Sequence, residues 1–321
     1  MSLTSLFRTP PPHVAIDIGP RRISAVALAG GPGAPAQVTA WAMEPLPEGA
    51  VVPSLTAPNL ARPADVAAAL ARVWERLGQR PRRVALVLPD AVGKVSLVRF
   101  QAVPPKAADL EGLIKFQLKK SAPFSVEESQ ISFIAGAKTD EGQEFVVVQA
   151  RRDIVTEYEQ ACAASGASAG AVELATFGVA HCVRAAAGTI SGDWLLIHAT
   201  ADSASLAIFR SEALVFFRHR GGDGDSHLLE MAHQTAMYYQ DRLGGRGFAR
   251  VLVGGTPAAA LQSEGWREIQ ARLGVPAEAV DPAPALTAFG TTPWSSGTME
   301  AVVPALGLAL SLRAGRQDGR P

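Results

Sequence analysis

The chain lacks an excess of charge of either sign. Its 321 residues include 30 Lys and Arg against 30 Asp and Glu, so the formal net charge at neutral pH is zero. Proteins that bind nucleic acid or an anionic membrane surface usually carry a basic surplus or a basic stripe. The composition therefore gives no sign of a nucleic-acid partner or of direct membrane insertion.

Cysteines and long apolar runs are also scarce. Cys162 and Cys182 are the two cysteines, and their separation does not fit a metal site. We expect two buried, reduced thiols, as is usual in the cytoplasm. Residues 301–312 form an apolar stretch of about half the ~20 residues that cross a bilayer, and residues 1–12 lack the apolar core of a signal peptide. We expect a cytoplasmic protein that reaches a membrane through partners.

One pattern occurs twice in the chain. Strands joined by short turns are predicted at residues 13–18, 23–28 and 37–43, and again at 194–199, 205–210 and 214–218. Apolar residues at helical spacing follow each set, at 62–77 and at 226–243. The duplication predicts two similar α/β lobes, and the cleft between them is the expected ligand site.

The segment between the two patterns has a different order. A strand at 94–102, a helix at 105–120, strands at 130–135 and 144–150, and a helix at 153–165 predict a small inserted α+β domain, with a further helix at 173–187. The predicted division is an N-terminal arm at 1–12, a first lobe at 13–88 and 166–190, the inserted domain at 89–165, and a second lobe at 191–321.

Three segments carry candidate chemistry. Asp17 and Gly19 end a buried strand, Thr200 lies at the equivalent turn of the second lobe, and Gly254, Gly255 and Thr256 follow a later strand. A carboxylate there can hold a hydrated cation, and glycines let a phosphate approach the backbone. Each feature also has a structural interpretation, since Asp17 can cap a turn and a Gly pair can simply form one.

The order of these segments resembles the actin-like ATPases, and within them the PilM family of type IV pilus assembly proteins. Further points of resemblance are the apolar arm at 1–7, Leu88-Pro89-Asp90, the helix and Pro-Phe loop at 113–126, the segment 150–155, and Ala-Leu-Gly-Leu-Ala-Leu at 305–310. The resemblance implies two RNase H-like lobes with an inserted domain. It also implies an ATP site formed by Asp17, Gly19, Arg21, Thr200, Gly254, Gly255 and Thr256, with Mg²⁺ on Asp17.

The sequence departs from that family pattern in the phosphate loops. Pro20 removes a backbone donor, and His198 and Thr200 stand where the pattern has Asp and Gly. Imidazole is a poor ligand for Mg²⁺, so Asp17 is left as almost the only carboxylate, and His198 is better explained as a semi-buried histidine with hydrogen-bond partners. We predict weak binding of ATP and Mg²⁺, little hydrolysis and no catalytic residue.

The resemblance further implies a cytoplasmic scaffold, peripheral to the inner membrane, that binds the cytoplasmic tail of a PilN-like protein between the first lobe and the inserted domain. The candidate anchors for the tail are Leu97, Phe100, Phe116 and Phe124, although each fits the domain core equally well. Contacts with other pilus platform proteins and self-association stay open. The alternatives are an active ATPase or sugar-kinase-like phosphotransferase, an FtsA-like filament protein, and a type II secretion platform.

Overall fold

The computed structural model describes residues 11–29, 36–222, 225–288 and 295–315. Residues 1–10, most of the predicted N-terminal arm, lie outside these ranges. The strands are β1 (Val14–Ile18), β2 (Arg22–Ala29), β3 (Ala36–Pro45), β4 (Arg83–Leu88), β5 (Gly93–Phe100), β6 (Ser129–Thr139), β7 (Gly142–Arg151), β8 (Ser168–Leu174), β9 (Asp193–Ala199), β10 (Ser203–Arg210), β11 (Ala213–Gly221), β12 (Arg250–Gly254), β13 (Ala277–Ala279) and β14 (Leu286–Ala288). The helices are α1 (Pro63–Leu77), α2 (Ala107–Leu118), α3 (Arg152–Ala164), α4 (Ala175–Ala187), α5 (Asp225–Leu243), α6 (Glu264–Leu273) and α7 (Ser296–Ala314).

The two lobes are built on sheets of the same design. The first sheet has six strands in the order β14-β3-β2-β1-β4-β8, and the second has five in the order β11-β10-β9-β12-β13. In each, an antiparallel meander (β1 to β3, β9 to β11) is extended by a parallel strand, β4 beside β1 and β12 beside β9. The predicted duplication is therefore present in the fold.

Helices cover the outer face of each sheet. On the first sheet, α1 begins at Pro63 and ends before Gly78, whose left-handed φ of 66° closes the helix. Its apolar side chains Val66, Leu70 and Val73 join one core with the first sheet and α3. On the second sheet, α5 and α6 form the corresponding outer core. Each lobe therefore has its own apolar core between its sheet and its outer helices.

The helices α4 and α7 lie between the two sheets and share one apolar core with both. They cross with their backbones in direct contact. A Cβ atom added at Gly307 would collide with the carbonyl oxygen of Gly178, and one added at Gly178 would collide with that of Pro304. Glycine is therefore needed at both positions for the helices to approach this closely.

The inserted domain has a three-stranded sheet in the order β5-β7-β6 with α2 packed on one face. Its core contains Val98, Ile114, Leu118, Phe145 and Val147. The next helix, α3, packs instead against α1 and contributes to the core of the first lobe. The boundaries predicted for the four parts of the chain stay a prediction.

Several elements differ from the sequence-based expectation. The helix expected at 173–187 begins at Ala175, because Ser168–Leu174 forms β8 and pairs in parallel with β4. Helix α6 and the short strands β13 and β14 were not predicted. Cys162 and Cys182 are buried free thiols, as expected. In the part of the chain that the structure describes, no helix has the length and apolar character to cross a bilayer.

Candidate functional site

The turns after β1 and β9 face each other across a cavity of about 690 Å³ between the lobes, called here the cleft. The strand–turn–strand design brings them together, since β1 and β9 occupy equivalent places in the two sheets. The predicted site residues that line the cleft are Asp17, Gly19, Arg21, Thr200 and Gly255. The other two predicted residues of this set, Gly254 and Thr256, are not among the residues that line the cleft.

Asp17 lies near the end of β1, and its carboxylate faces the cleft. Burial raises the pKa of this carboxyl to about 6, although His198 and Arg22 lower it, and nearby Asp90 raises it further. Among the described residues, no side chain or backbone group donates a hydrogen bond to it. Asp17 is thus a partly desolvated carboxylate whose charge has no direct partner.

Asp90 is a second cleft carboxylate, and sequence reasoning did not select it. It follows Pro89 after β4 and is 5% exposed. Its Oδ1 accepts the backbone N–H of Thr176 at 3.0 Å, and its Oδ2 accepts the hydroxyls of Thr176 at 2.5 Å and Ser205 at 2.7 Å. The Nδ1 atom of His198 lies 3.4 Å from the same Oδ2. Asp90 therefore links β4, the first turn of α4 and the second sheet.

The electrostatics of Asp90 follow from these contacts. Burial alone would raise its pKa, but the hydrogen bond and charge of His198, the charge of His219 and the Thr176 hydroxyl together lower the pKa well below its ordinary value. Asp90 is therefore ionised at neutral pH. Burial lowers the pKa of His219, whose Nδ1 lies 2.9 Å from the Ser205 hydroxyl. Because that hydroxyl donates to Asp90, the neutral imidazole donates to Ser205.

His198 is buried, with 7% exposure, and its Nδ1 lies 3.2 Å from the Thr176 hydroxyl in addition to its contact with Asp90. This agrees with the prediction of a histidine with hydrogen-bond partners. The imidazole occupies the place in the second lobe that Asp17 occupies in the first, at the end of the central strand. The second lobe therefore presents an internally bonded side chain there.

An ion pair joins the two turns across the cleft. The Nε atom of Arg21 donates to Oδ2 of Asp202 at 2.8 Å, and its Nη2 donates to Oδ1 at 2.6 Å. The hydrogen bonds and charges of the pair raise the pKa of Arg21 and lower that of Asp202. The arrangement is bidentate, the geometry that guanidinium prefers for a carboxylate or a phosphate. Arg21 thus has a protein partner that the sequence did not reveal.

The chain needs glycine at the two positions at the end of β12 for structural reasons that do not involve a ligand. A Cβ at Gly254 would lie 2.7 Å from Cγ1 of Val179 on α4, so Gly254 allows helix and strand to pack. Gly255 has a φ of 79°, and a Cβ there would collide with the Ala199 carbonyl. Thr256 donates its hydroxyl to the same carbonyl at 3.3 Å. Any larger residue at 255 would therefore disturb the chain itself.

A second cavity, of about 590 Å³, lies between the inserted sheet, β8 and α4, with the β10–β11 turn at one end. We call it the groove. Its lining is mostly apolar and includes Leu88, Val92, Ile134, Val146, Val148, Val172, Leu174, Phe177 and Leu214. Nε2 of His181 lies 3.0 Å from Oε1 of Glu173 in its wall, within hydrogen-bond distance, while the other carboxylate oxygen of Glu173 is buried without a hydrogen bond among the described residues.

The four predicted anchors do not line the groove. Phe100 contacts Phe145 in the inserted core, with ring centroids 6.0 Å apart, and Leu97 packs against the core between the lobes. Phe116 is 63% exposed on α2 with Lys120 above its ring, and Phe124 is half-buried. The structure therefore brings together a different set of apolar residues.

Comparison with protein families gives one match over most of the chain. Residues 15–241 match the family described as type IV pilus assembly protein PilM. The chain belongs to this family. No curated protein sequence matches it closely enough to report.

Solved structures with the same fold agree with the PilM assignment. One, described as a PilM-PilN type IV pilus biogenesis complex, has a TM-score of 0.78 at 17% identity and covers 98% of this chain and 100% of that one. The cytoplasmic domain of EpsL, an inner-membrane component of the type II secretion system of Vibrio cholerae, has a TM-score of 0.51 at 12% identity and covers 94% of this chain and 93% of that one. The fold is that of the actin-like ATPases, as predicted.

The cleft of this PilM-family protein fits Mg²⁺ and ATP poorly. A divalent cation held with phosphates needs free carboxylate oxygens, and among the described residues that line the cleft these come from Asp17 and Glu300, since neither has a side-chain hydrogen-bond partner. Asp90 is occupied by Thr176, Ser205 and His198. The described residues contain no group of three or more His, Cys, Asp or Glu side chains that could hold a metal. We therefore derive no step through a metal-bound nucleotide.

Proposed function

We propose that this protein is a scaffold of a type IV pilus assembly machine that binds the cytoplasmic tail of a PilN-like inner-membrane protein in the groove. The observation that carries the proposal is an apolar cavity bordered by an unpaired strand edge. Family membership supports the setting, and the PilN chain in the structurally similar complex supports the class of partner. The protein would lie peripheral to the inner membrane through this contact.

The edge of β6 favours an extended peptide as the occupant. This strand pairs with β7 on one side and with no other strand among the described residues. A free strand edge offers backbone N–H and C=O groups to a peptide, while pockets beside it receive alternate side chains. Ile134 on β6 is 66% exposed at the groove, an unusual position for a large apolar side chain that nothing covers.

The groove also contains a buried hydrogen-bond acceptor that a bound peptide could satisfy. The buried Glu173 oxygen without a partner lies in the wall, next to apolar side chains. An unsatisfied buried acceptor costs free energy that a donor from the ligand recovers. We therefore expect a tail with two or three apolar side chains and one N–H donor, such as a Lys, an Arg or an amide. After ordering costs, affinity in the micromolar range or weaker follows.

The test compares two exposed apolar residues of the same domain. Tails of single-span membrane proteins encoded beside this gene are titrated against wild type, Ile134→Asp and Phe116→Asp by calorimetry, with circular dichroism to show that each variant is folded. Ile134→Asp should weaken binding at least ten-fold, because it places a charge in the groove. Phe116→Asp should leave binding nearly unchanged.

The reverse result would return the interface to the originally predicted anchors on α2. Full binding by a folded variant that carries both substitutions would exclude the inserted domain as the binding surface. Glu173→Gln gives a finer control, since the amide keeps the shape and removes the charge. It should weaken binding of a tail with a cationic donor and leave an uncharged tail unaffected.

The cleft has a lesser part in this proposal. Nucleotide binding, if retained, is weak and lies between Gly19 and Gly255, and hydrolysis is negligible. The support is the internal bonding of His198 and Asp90, which leaves Asp17 and Glu300 as the described cleft carboxylates without a side-chain partner. Substitution of Gly255 cannot test the site cleanly, because a side chain there meets the Ala199 carbonyl.

A further inference from the structure

Two backbone donors of the turns that face the cleft are already bonded within those turns. The N–H of Gly19 already donates to the carbonyl of Arg22 at 3.0 Å, and that of Thr200 donates to the carbonyl of Ser203 at 2.9 Å. Pro20 has no N–H to give. The Arg21 guanidinium lies at the mouth of the cleft, and Asp202 occupies its Nε–Nη2 edge.

The floor of the cleft is bonded in the same self-contained way. Asp90 comes from the end of β4 in the first lobe, whereas Ser205 and His198 belong to the second sheet. A buried carboxylate with several donors is well stabilised, and a ligand that displaced those donors would leave a buried charge without partners. Two separate polar contacts thus join the lobes, one at the mouth of the cleft and one at its floor.

We infer that the cleft of this protein is closed by its own side chains, Arg21 with Asp202 at the mouth and Asp90 with His198 and Ser205 at the floor, and that its closure needs neither nucleotide nor divalent metal. The carboxylate of Asp202 stands where a phosphate would meet Arg21, and the Asp90 contacts join the lobes where a metal-bound ligand would otherwise do so. This inference concerns the cleft alone and does not depend on the tail-binding groove.

The two contacts should respond differently to salt. The side chains of Arg21 and Asp202 are 67% and 38% exposed, so mobile ions screen their attraction. Asp90 and His198 are buried, and salt reaches them little. At about 1 M KCl the mouth of the cleft should therefore loosen while the floor stays bonded. A general effect of salt on stability would instead loosen both contacts, so the two explanations can be distinguished.

The experiment is hydrogen exchange measured by mass spectrometry on the full chain, with peptides that cover the turns at residues 18–22 and 199–203. Arg21→Ala should raise exchange in the opposite turn, at 199–203, several-fold, and the charge-exchanged double variant Arg21→Asp/Asp202→Arg should restore protection. Arg62→Ala is the matched control, because Arg62 forms a similarly exposed ion pair with Asp65 outside the cleft. It should leave both turns unchanged.

The same samples are measured with Mg²⁺ alone, with ATP alone and with both. Protection of the two turns and the Tm should not change, because the closed state already exists. Ligand-induced protection, or a rise of about 5 °C in Tm, the size expected for a ligand at a hundred times its Kd, would overturn the inference. Unchanged exchange at 199–203 in Arg21→Ala would equally overturn it, since the contact between Arg21 and Asp202 would then not restrain the opposite turn.

Discussion

The cleft and the groove differ in what they leave unsatisfied. In the cleft, several polar side chains are bonded to one another, as in Arg21 with Asp202 and Asp90 with Ser205, while Asp17 has no direct partner. In the groove, a strand edge, the exposed side chain of Ile134 and one buried oxygen of Glu173 have no partner among the described residues. Since unsatisfied groups are what a ligand can stabilise, we propose the groove, with its mostly apolar lining, as the main binding site.

The cleft and the groove also belong to different parts of the architecture. The cleft lies where the two duplicated sheets meet, so it follows from the duplication itself. The groove depends on the inserted sheet, which has no counterpart in the second lobe. The proposed binding of a membrane-protein tail therefore rests on the part of the structure that breaks its internal symmetry.

The largest effect should come from removal of the bonded carboxylate in the cleft. Asp90→Ala leaves the Thr176 N–H, the Ser205 hydroxyl and His198 without their acceptor, which should cost about 3–5 kcal/mol of stability at pH 7. Urea denaturation measures this loss. The exposed Asp202→Ala is the control and should have little effect. A similar small loss for Asp90→Ala would show that the buried contacts do not stabilise the cleft.

A smaller effect of opposite sign is expected at the carboxylate without a partner. The pKa of Asp17 is raised from 3.8 to about 6 in the folded protein, so folding is penalised as pH rises through that range. Asp17→Asn should therefore match wild type near pH 4 and be more stable above pH 6, by about 1–3 kcal/mol. Denaturation curves across pH 4–8 test this. A variant that is less stable at pH 7 would show that Asp17 has a bonded partner in solution.

The smallest effect is expected for ATP hydrolysis, the activity that an actin-like ATPase fold suggests first. Phosphate release from purified protein with Mg²⁺ and ATP should stay near background, because the second lobe offers His198 in place of a free carboxylate. A turnover of about one per second or more, abolished by Asp17→Ala, would contradict the comparison between cleft and groove. It would restore the alternative of an active phosphotransferase.

Much of the fold could be predicted because local patterns and tertiary packing agree. The repeated meanders alternate clearly, and α1 has regular apolar spacing with Pro63 at its start and Gly78 at its end. Strand β8 was missed because Ser168–Leu174 is rich in small residues, and its pairing with β4 is a contact across the fold. Propensity alone does not reveal such a partner.

The site was predictable only where a single segment carries it. Asp17, Gly19 and Thr200 lie in turns with recognisable sequence, and the structure places them in the cleft. Arg21 was selected without its partner, because Asp202 comes from the other lobe. Asp90 had a local signal, a Pro-Asp step directly after a buried strand, but its bonds to Ser205 and His198 exist only in the folded chain. The groove is assembled from several segments that are distant in the sequence, so no single motif predicts it.

The crossing of α4 and α7 makes the centre of the molecule intolerant of added volume. Gly178 and Gly307 bring backbone directly against backbone there, and side chains of both helices pack around the crossing in the core that the two sheets share. A single methyl group at either glycine would have to push the helices apart. Alanine at either position would therefore disturb the core between the lobes without changing a residue that lines the cleft or the groove.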